Sequence, residues 1–145
     1  MTDSSFAEAT DAELDAALSK QVREICQQGY QLFDQGDLSG AIRLFYSAWT
    51  RLPKPQTQWQ EAGWVLTALG DGYFAKGDYE SGRHALLSAL HCPRAEGNPF
   101  IHLRLGQCYF ELGDREAARQ QFDRVRDNGG AELFDREPSQ YGSLR

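Results

Sequence analysis

The sequence predicts an all-α fold, an α-solenoid of three helix-turn-helix hairpins with an extended first helix and a short C-terminal capping helix. Two stretches, residues 69–90 and 105–122, carry Leu-Gly, Tyr-Phe and Gly-Asp at the same offsets. A third copy surrounds Gly29, and its Gly36-Asp37 pair keeps the same place. Repeats that each hold two apolar-periodic segments are typical of stacked hairpins, because one hairpin cannot bury its own apolar face alone.

Each repeat is expected to contain two helices that a Gly-Asp turn separates. Apolar residues recur at helical spacing on both sides of the turn, and the second helix of the first repeat carries Ala41, Leu44, Phe45 and Ala48. Glycine adopts the left-handed conformation that ends a helix, and the aspartate behind it is a favourable N-cap. The two helices of a repeat are expected to approach closely at the small residues Gly29, Gly70 and Gly106.

The chain divides into three predicted segments. Residues 1–10 form a flexible acidic N-terminus, residues 11–130 hold the three repeats, and residues 131–145 form a C-terminal cap and tail. The repeats span about residues 22–53, 63–94 and 99–130. Residues 131–136 are expected to form the short helix that covers the last hairpin, as solenoids require.

The joints between repeats are predicted from their helix breakers. The segment from Asp11 to Lys20 is expected to lengthen the first helix, with Thr10 or Asp11 as its cap. Pro53 and Pro55 end the second helix, and the residues from Gln58 to Trp64 are expected to add two turns to the third. The stretch CPRAEGNP, residues 92–99, is predicted to be a loop.

The repeated pattern resembles the tetratricopeptide repeat (TPR), whose signature runs W-x2-L-G-x2-Y, then A-x3-F, then P. The third repeat supplies Leu105, Gly106, Tyr109, Ala118 and Phe122 at these places. Several positions depart from the signature: His102 stands where Trp is usual, Gly82 stands for Ala, and Leu32 stands for Tyr. The resemblance implies that the first helices of the repeats line a concave groove in which a partner binds.

Nine groove residues are predicted from their offsets to the repeat glycines, and a tenth, Arg104, is expected at the edge. They are Arg23, Tyr30, Phe33, Trp64, Asp71, Phe74, Phe100, Arg104, Gln107 and Phe110. Aromatic residues and arginine dominate the energetics of protein–protein interfaces, so this composition favours a binding surface. Two alternatives stay open. Phe33, Phe74 and Phe110 can pack between hairpins instead, and the tail can fill the groove with Leu133, Phe134, Tyr141 and Leu144.

Composition argues against several other classes of function. The net charge of −6 comes largely from five acids within residues 1–19, so the body is nearly neutral and lacks the basic stripe of a nucleic-acid platform. The three cysteines form no CxxC pair, and the three histidines have no zinc-motif spacing. We therefore expect no enzyme activity, no cofactor and no metal. The N-terminus has no basic flank followed by an apolar run, so no secretory signal is expected, and no apolar stretch approaches the length needed to span a bilayer. The odd number of cysteines suits a reducing compartment, so a cytoplasmic location without membrane binding is expected.

A second resemblance suggests a more specific role. Residues 97–114 and 130–144, together with GWVLTALGDGYFAKGDY, resemble small bacterial TPR proteins encoded beside Rhs-type polymorphic toxins, some delivered by type VI secretion. That resemblance implies an immunity protein that binds and neutralises a toxin. The alternatives are a general scaffold or secretion chaperone that grips an extended peptide, and self-association through the apolar surface. The Lys and Asn residues with which one TPR class clamps a chaperone's terminal carboxylate are replaced here by Cys26, Tyr30, Thr67, Asp71, Leu103 and Gln107.

Overall fold

The structure is a computed structural model, which describes residues 13–137 and residue 141, and this part of the chain is all-helical. Its six α-helices are α1 (Ala16–Asp34), α2 (Leu38–Thr50), α3 (Gln60–Lys76), α4 (Tyr79–Ala89), α5 (Pro99–Glu111) and α6 (Arg115–Asp127). Two 3₁₀-helices, Gln56–Gln58 and Ala131–Arg136, follow α2 and α6.

The helices pack as three hairpins in a row. The most extensive packing joins α1 to α2, α3 to α4, and α5 to α6, and the hairpins meet where α2 packs on α3 and α4 on α5. Direct contacts also connect α1 with α3 and α3 with α5, so the first helices of the hairpins form one continuous layer. The predicted α-solenoid, with its extended first helix and its short capping helix, is confirmed.

The three Gly-Asp turns end one helix and begin the next, as the sequence predicts. Gly36, Gly77 and Gly113 have φ of 88°, 83° and 87°, a region that residues with a side chain rarely adopt. The following aspartates accept hydrogen bonds from backbone amides in the next helix; Asp37, for example, accepts from the Gly40 nitrogen at 2.9 Å. Each turn therefore satisfies an amide that the start of a helix would leave unpaired.

The helices of each hairpin come together at a glycine. A Cβ atom added to Gly70 would lie 2.5 Å from Leu86, and one added to Gly106 would lie 2.5 Å from Phe122. Because real Cβ atoms essentially never approach so closely, these positions admit only glycine at the present helix spacing. Phe122 and Leu86 are fully buried beneath them.

The start of the first helix differs from the prediction. Residues 13–15 are not helical, and α1 begins at Ala16 because the Asp15 side chain accepts from the Leu18 amide at 3.2 Å. Asp15 is therefore the N-cap. The predicted caps Thr10 and Asp11 lie outside the described residues, as does the predicted acidic N-terminus of residues 1–10. The boundaries assigned to the three repeats stay a prediction.

The start of α3 also differs from the prediction of two added turns. The helix begins at Gln60 rather than Gln58, and with 17 residues it exceeds the 13 of α5 by about one turn. Trp59 is extended, and its indole Nε1 donates to the Pro53 carbonyl at 2.9 Å. The Gln56 amide likewise donates to the Trp49 carbonyl at 2.9 Å. These contacts hold residues 53–59 against the end of α2, and α3 therefore begins two residues later than predicted.

The C-terminal 3₁₀-helix covers the apolar end of the last hairpin. Phe134 is buried, and its ring packs edge-on against Phe122 with 5.4 Å between centroids. Phe134 and Tyr141 belong to the same core cluster as Phe122 and Val125. Among the described residues, none of the helices combines the length and the apolar character needed to cross a membrane.

Candidate partner-binding face

The first helices α1, α3 and α5 present a shared surface, which we call the inner face. Tyr30 on α1, Asp71 on α3, and Arg104 and Gln107 on α5 mark it, and all four were predicted groove residues. The side chains are brought together because α3 contacts both of the other helices. Tyr30, Asp71 and Gln107, which share one offset from the repeat glycines, therefore lie near one another on three separate helices, and their role in partner binding stays a prediction.

A continuous chain of hydrogen bonds crosses the inner face. The Tyr30 hydroxyl donates to Asp71 Oδ2 at 2.6 Å, and Arg104 Nε donates to Asp71 Oδ1 at 3.0 Å. Both carboxylate oxygens of Asp71 are thus engaged, one by each neighbouring helix. Since Asp71 is buried, this pairing offsets the desolvation of its charge and ties the three hairpins to one another.

The chain continues from Arg104 into the C-terminal segment. Arg104 Nη1 donates to Gln107 Oε1 at 2.5 Å and to Glu137 Oε1 at 3.0 Å. The amide nitrogen Nε2 of Gln107 donates to the same oxygen of Glu137 at 2.5 Å. Glu137 lies just beyond the capping 3₁₀-helix, so a residue of the tail occupies the α5 end of the inner face.

The ionisable groups of this chain have shifted pKa values. Burial raises the pKa of Asp71, although the positive charge of Arg104 opposes the shift. Burial lowers the pKa of Arg104, but the carboxylates of Asp71 and Glu137 more than offset it, and the net pKa lies above its ordinary value. Burial and the neighbouring charge of Asp71 also raise the pKa of Tyr30. Tyr30 is therefore a fixed hydrogen-bond donor at neutral pH.

Aromatic rings surround the guanidinium group of Arg104. Its Cζ lies 4.9 Å from the ring centroid of Phe74 and 5.2 Å from that of Phe100, distances at which a cation is attracted to a ring. A separate pair lies nearer the start of the helices, where the Arg23 guanidinium stands 5.4 Å from the Trp64 ring. Trp64 remains 39% exposed and is thus an aromatic side chain available on this surface.

The remaining predicted groove residues have mixed surroundings. Phe33, Phe74 and Phe110 are each half-buried and pack against a core cluster, so packing between hairpins accounts for part of each ring. Asp71 and Gln107 are buried and expose little surface to a partner. Asp71 instead holds Tyr30 and Arg104 in place by hydrogen bonds, and Gln107 does the same for Arg104 and Glu137. The assignment of all ten residues to partner binding stays a prediction.

One tail residue, Glu137, contacts this face, and a second, Tyr141, packs next to it at the end of the last hairpin. Glu137 was not singled out at all, and Tyr141 was named only among residues that could fill the groove. The Tyr141 ring packs edge-on against Phe110 at 5.1 Å between centroids and against Phe122 at 6.3 Å, and its hydroxyl donates to Glu111 at 3.3 Å. Of the tail residues named as able to fill the groove, Leu133, Phe134 and Tyr141 pack on the core of the last hairpin instead, and Leu144 lies outside the described residues.

Two cavities lie away from the chain of hydrogen bonds. One of about 730 Å³ opens between the starts of α1 and α3, and residues lining it include Arg23, Arg94 and the buried Glu61, which accepts from Ser19 at 2.6 Å. Another, of about 510 Å³, lies beside α2 and α4 and is lined partly by Tyr46 and Tyr73.

The chemistry of the described residues is that of a packed scaffold. No three of their His, Cys, Asp or Glu side chains are placed to hold a metal ion. Burial raises the pKa of Cys26 and Cys92 to about 11 and that of Cys108 to about 12, which makes all three poor nucleophiles at neutral pH. Both ring nitrogens of His102 are engaged, by Gln121 at 2.7 Å and the Glu96 carbonyl at 2.8 Å.

Comparison with known proteins identifies the repeat. The family model described as "Tetratricopeptide repeat" matches residues 102–128, a segment within the third hairpin. A solved structure titled "First TPR of Spaghetti (RPAP3) bound to HSP90 peptide SRMEEVD" is similar with a TM-score of 0.66 and 20% sequence identity. The similarity covers 88% of this chain and 92% of that chain. Among curated proteins, none matches significantly. The chain therefore has the TPR fold that its repeats predict.

Proposed function

We propose that this chain is a non-catalytic protein-interaction module, which binds an extended segment of a partner protein on the inner face. The observation that carries the proposal is the Tyr30–Asp71–Arg104 chain, which presents a fixed guanidinium between the rings of Phe74 and Phe100. TPR domains are generally interaction modules. The structurally similar domain is described as bound to a peptide, which supports the same mode of binding here.

The side chains of the inner face suit it to this role. Arginine and aromatic residues carry most of the energy at protein interfaces, and here the ordering of Arg104 is completed by the fold before a partner arrives. Trp64 and Arg23 extend the surface toward the starts of α1 and α3. A partner held mainly by a terminal carboxylate in a Lys/Asn clamp fits poorly, because the corresponding places include Cys26, Leu103 and the buried Asp71.

Replacing Trp64 by alanine tests the proposal directly. Peptides selected from a displayed random library on the unmodified chain are expected to bind the Trp64→Ala variant at least about 10-fold more weakly, since a loss above 1.4 kcal/mol is typical of an interface aromatic. The melting temperature is expected to change little, because the ring is partly exposed. Fluorescence anisotropy with labelled peptides measures the affinity.

Tyr46→Ala is the matched control for this experiment. Tyr46 is also an exposed aromatic, at 52%, but it lies on α2 beside the second cavity rather than on the inner face. The selected peptides are expected to bind this variant as they bind the unmodified chain. Equal weakening by both substitutions, or weakening by Tyr46→Ala alone, would move the binding surface off the inner face and contradict the proposal.

A more specific proposal is that the partner is a toxin, which this chain neutralises in the bacterial cytoplasm as an immunity protein. The support is the sequence resemblance of residues 97–114 and 130–144 to TPR proteins encoded beside Rhs-type toxins. Co-expression with the toxin domain of an adjacent reading frame is expected to restore growth, and the two proteins are expected to co-purify. If the neighbouring product neither binds nor is neutralised, the immunity role fails while peptide binding on the inner face can still be tested.

A further inference from the structure

Glu137 of the C-terminal segment already bonds to Arg104 and Gln107 of the inner face, and Tyr141 packs beside it on Phe110 of α5 and Phe122 of α6. We propose that Glu137 and Tyr141 hold the place of the partner, so that the partner segment carries an acidic side chain with an aromatic one four residues later and displaces the tail to bind. This inference rests on the proposed function, because it names the chemistry of the segment that the inner face binds.

Two hydrogen-bond donors around Glu137 converge on one carboxylate oxygen. Arg104 Nη1 and Gln107 Nε2 both donate to the same oxygen, at 3.0 and 2.5 Å. Gln107 is fully buried and Arg104 nearly so, with 16% of its side chain exposed. If Glu137 left without a replacement, a buried amide would lose its acceptor, which is unfavourable. A segment that takes this place is therefore favoured when it supplies a carboxylate or similar oxygen acceptor.

Two aromatic side chains pack around the ring of Tyr141. Tyr141 is 2% exposed, and its ring meets the edges or faces of Phe110 and Phe122 in T-shaped geometry. Its hydroxyl reaches Glu111 on α5. A phenol ring therefore satisfies both the apolar and the polar parts of the place, and another tyrosine is the side chain that fits best.

The geometry of Glu137 differs from that of a structural cap. The capping task falls to the 3₁₀-helix Ala131–Arg136, whose Phe134 packs on Phe122 and lies beneath the Arg126 guanidinium. Glu137 follows that helix with φ of −103° and ψ of 155°, an extended conformation. Its side chain then reaches a chain of hydrogen bonds that begins on α1. Because Pro138 follows, this extended conformation is the one expected of a residue before proline, so the two hydrogen bonds to its carboxylate are what mark Glu137 as a stand-in for a partner.

Competition from the tail determines how tightly a partner binds. A segment tethered by a short linker has an effective concentration of about millimolar, so a free segment of equal intrinsic affinity is largely excluded. The apparent affinity falls in proportion to the fraction of molecules whose tail is undocked. Substitutions that weaken the docking of the tail are therefore expected to raise the affinity for a separate peptide, although the inner face itself is unchanged.

The test uses the full chain with Glu137→Ala and Tyr141→Ala together, and the probe is a fluorescein-labelled peptide of residues 131–145. The doubly substituted chain is expected to bind this peptide at least about 10-fold more tightly than the unmodified chain, since its own tail no longer competes. A peptide that carries the same two substitutions is expected to bind neither protein. Glu137→Gln, which keeps every aromatic contact, is the control for folding and is expected to give a smaller gain in the same direction.

The outcomes separate this inference from the proposed function. Equal binding of the peptide by both proteins, or binding by neither, overturns the proposal for the tail. If displayed peptides then bind both proteins equally, without the acidic-to-aromatic spacing, and lose affinity with Trp64→Ala, the inner face binds peptides and the tail only caps the fold. If no displayed peptide binds either protein, both proposals fail.

Discussion

Replacing Arg104 by alanine is expected to lower the free energy of unfolding by about 3–5 kcal/mol at pH 7, the usual loss when one partner of a buried ion pair is removed. Arg104 bridges Asp71 at 3.0 Å and Glu137 at 3.0 Å. The substitution leaves Asp71 buried with a single donor, the Tyr30 hydroxyl, and removes one of the two donors to Glu137. Urea unfolding followed by circular dichroism measures the loss.

The loss in this variant is also expected to depend on pH. Burial already raises the pKa of Asp71, and Arg104 is the main group that opposes the rise. Without Arg104 the carboxyl group binds its proton more tightly in the folded state than in the unfolded chain. A raised pKa of this kind favours folding at low pH and loses that contribution as the pH rises. The difference in stability from the unmodified chain should therefore shrink as the pH falls from 7 toward 4.

Arg115→Ala is the matched control for Arg104→Ala. Arg115 also lies over an aromatic ring, with its guanidinium 5.1 Å from the Phe110 centroid, but it is exposed and none of its described ion pairs is buried. Its removal is expected to change stability by less than about 0.5 kcal/mol. A loss below about 1 kcal/mol for Arg104→Ala, or one that grows toward low pH, would contradict a stabilising role for the buried chain.

Replacing Phe122 by alanine is expected to cost about 3–5 kcal/mol of stability, the range for removal of a buried phenylalanine. Phe122 is fully buried directly beneath Gly106, where α5 and α6 approach most closely. Its ring also supports Phe134 and Tyr141 of the C-terminal segment. The substitution should therefore loosen the third hairpin and the tail together. Thermal unfolding gives the stability, and protease cleavage after residue 130 reports the tail.

The second hairpin supplies the control for this substitution. Leu86 occupies the corresponding position there and lies under Gly70 in the same way that Phe122 lies under Gly106. Phe122→Leu is therefore expected to keep the helix spacing but to lose the ring contacts with Phe134 and Tyr141, at a cost of about 1–2 kcal/mol, less than that of alanine. If alanine and leucine were equally tolerated, Phe122 would not be the contact that holds the third hairpin and the tail.

The sequence predicted the hairpins because each is encoded by local signals. The left-handed glycines and capping aspartates at Gly36-Asp37 and its repeats act over a few residues, so the pattern can be read without the tertiary structure. The predicted starts of α1 and α3 were wrong for a different reason, since the helices begin at Ala16 and Gln60. Asp15 competes as a cap, and Trp59 is drawn toward Pro53 by a hydrogen bond that forms only in the folded chain.

The inner face was only partly predictable. Regular helix geometry places Tyr30, Asp71 and Gln107 one residue after the repeat glycines, so counting from the glycines named them, whereas Arg104 was expected only at the edge. The counting could not reveal that the three side chains bond to one another, because that depends on how closely the hairpins stack. The contact of Glu137 with Arg104 depends on the path of the tail after Gly130, which no periodic pattern encodes.

The most direct test of the account is nuclear magnetic resonance of the full chain, because the central claim is that the C-terminal segment packs on the last of three stacked hairpins, whose first helices are joined by buried hydrogen bonds. Ring protons of Tyr141 are expected to show nuclear Overhauser contacts to the rings of Phe110 and Phe122, whose centroids lie 5.1 and 6.3 Å away. The Nε proton of Arg104 is expected to exchange slowly with water because it is bonded to Asp71. Random-coil shifts for Tyr141, with no contacts to either ring and rapid exchange at Arg104, would contradict the claim.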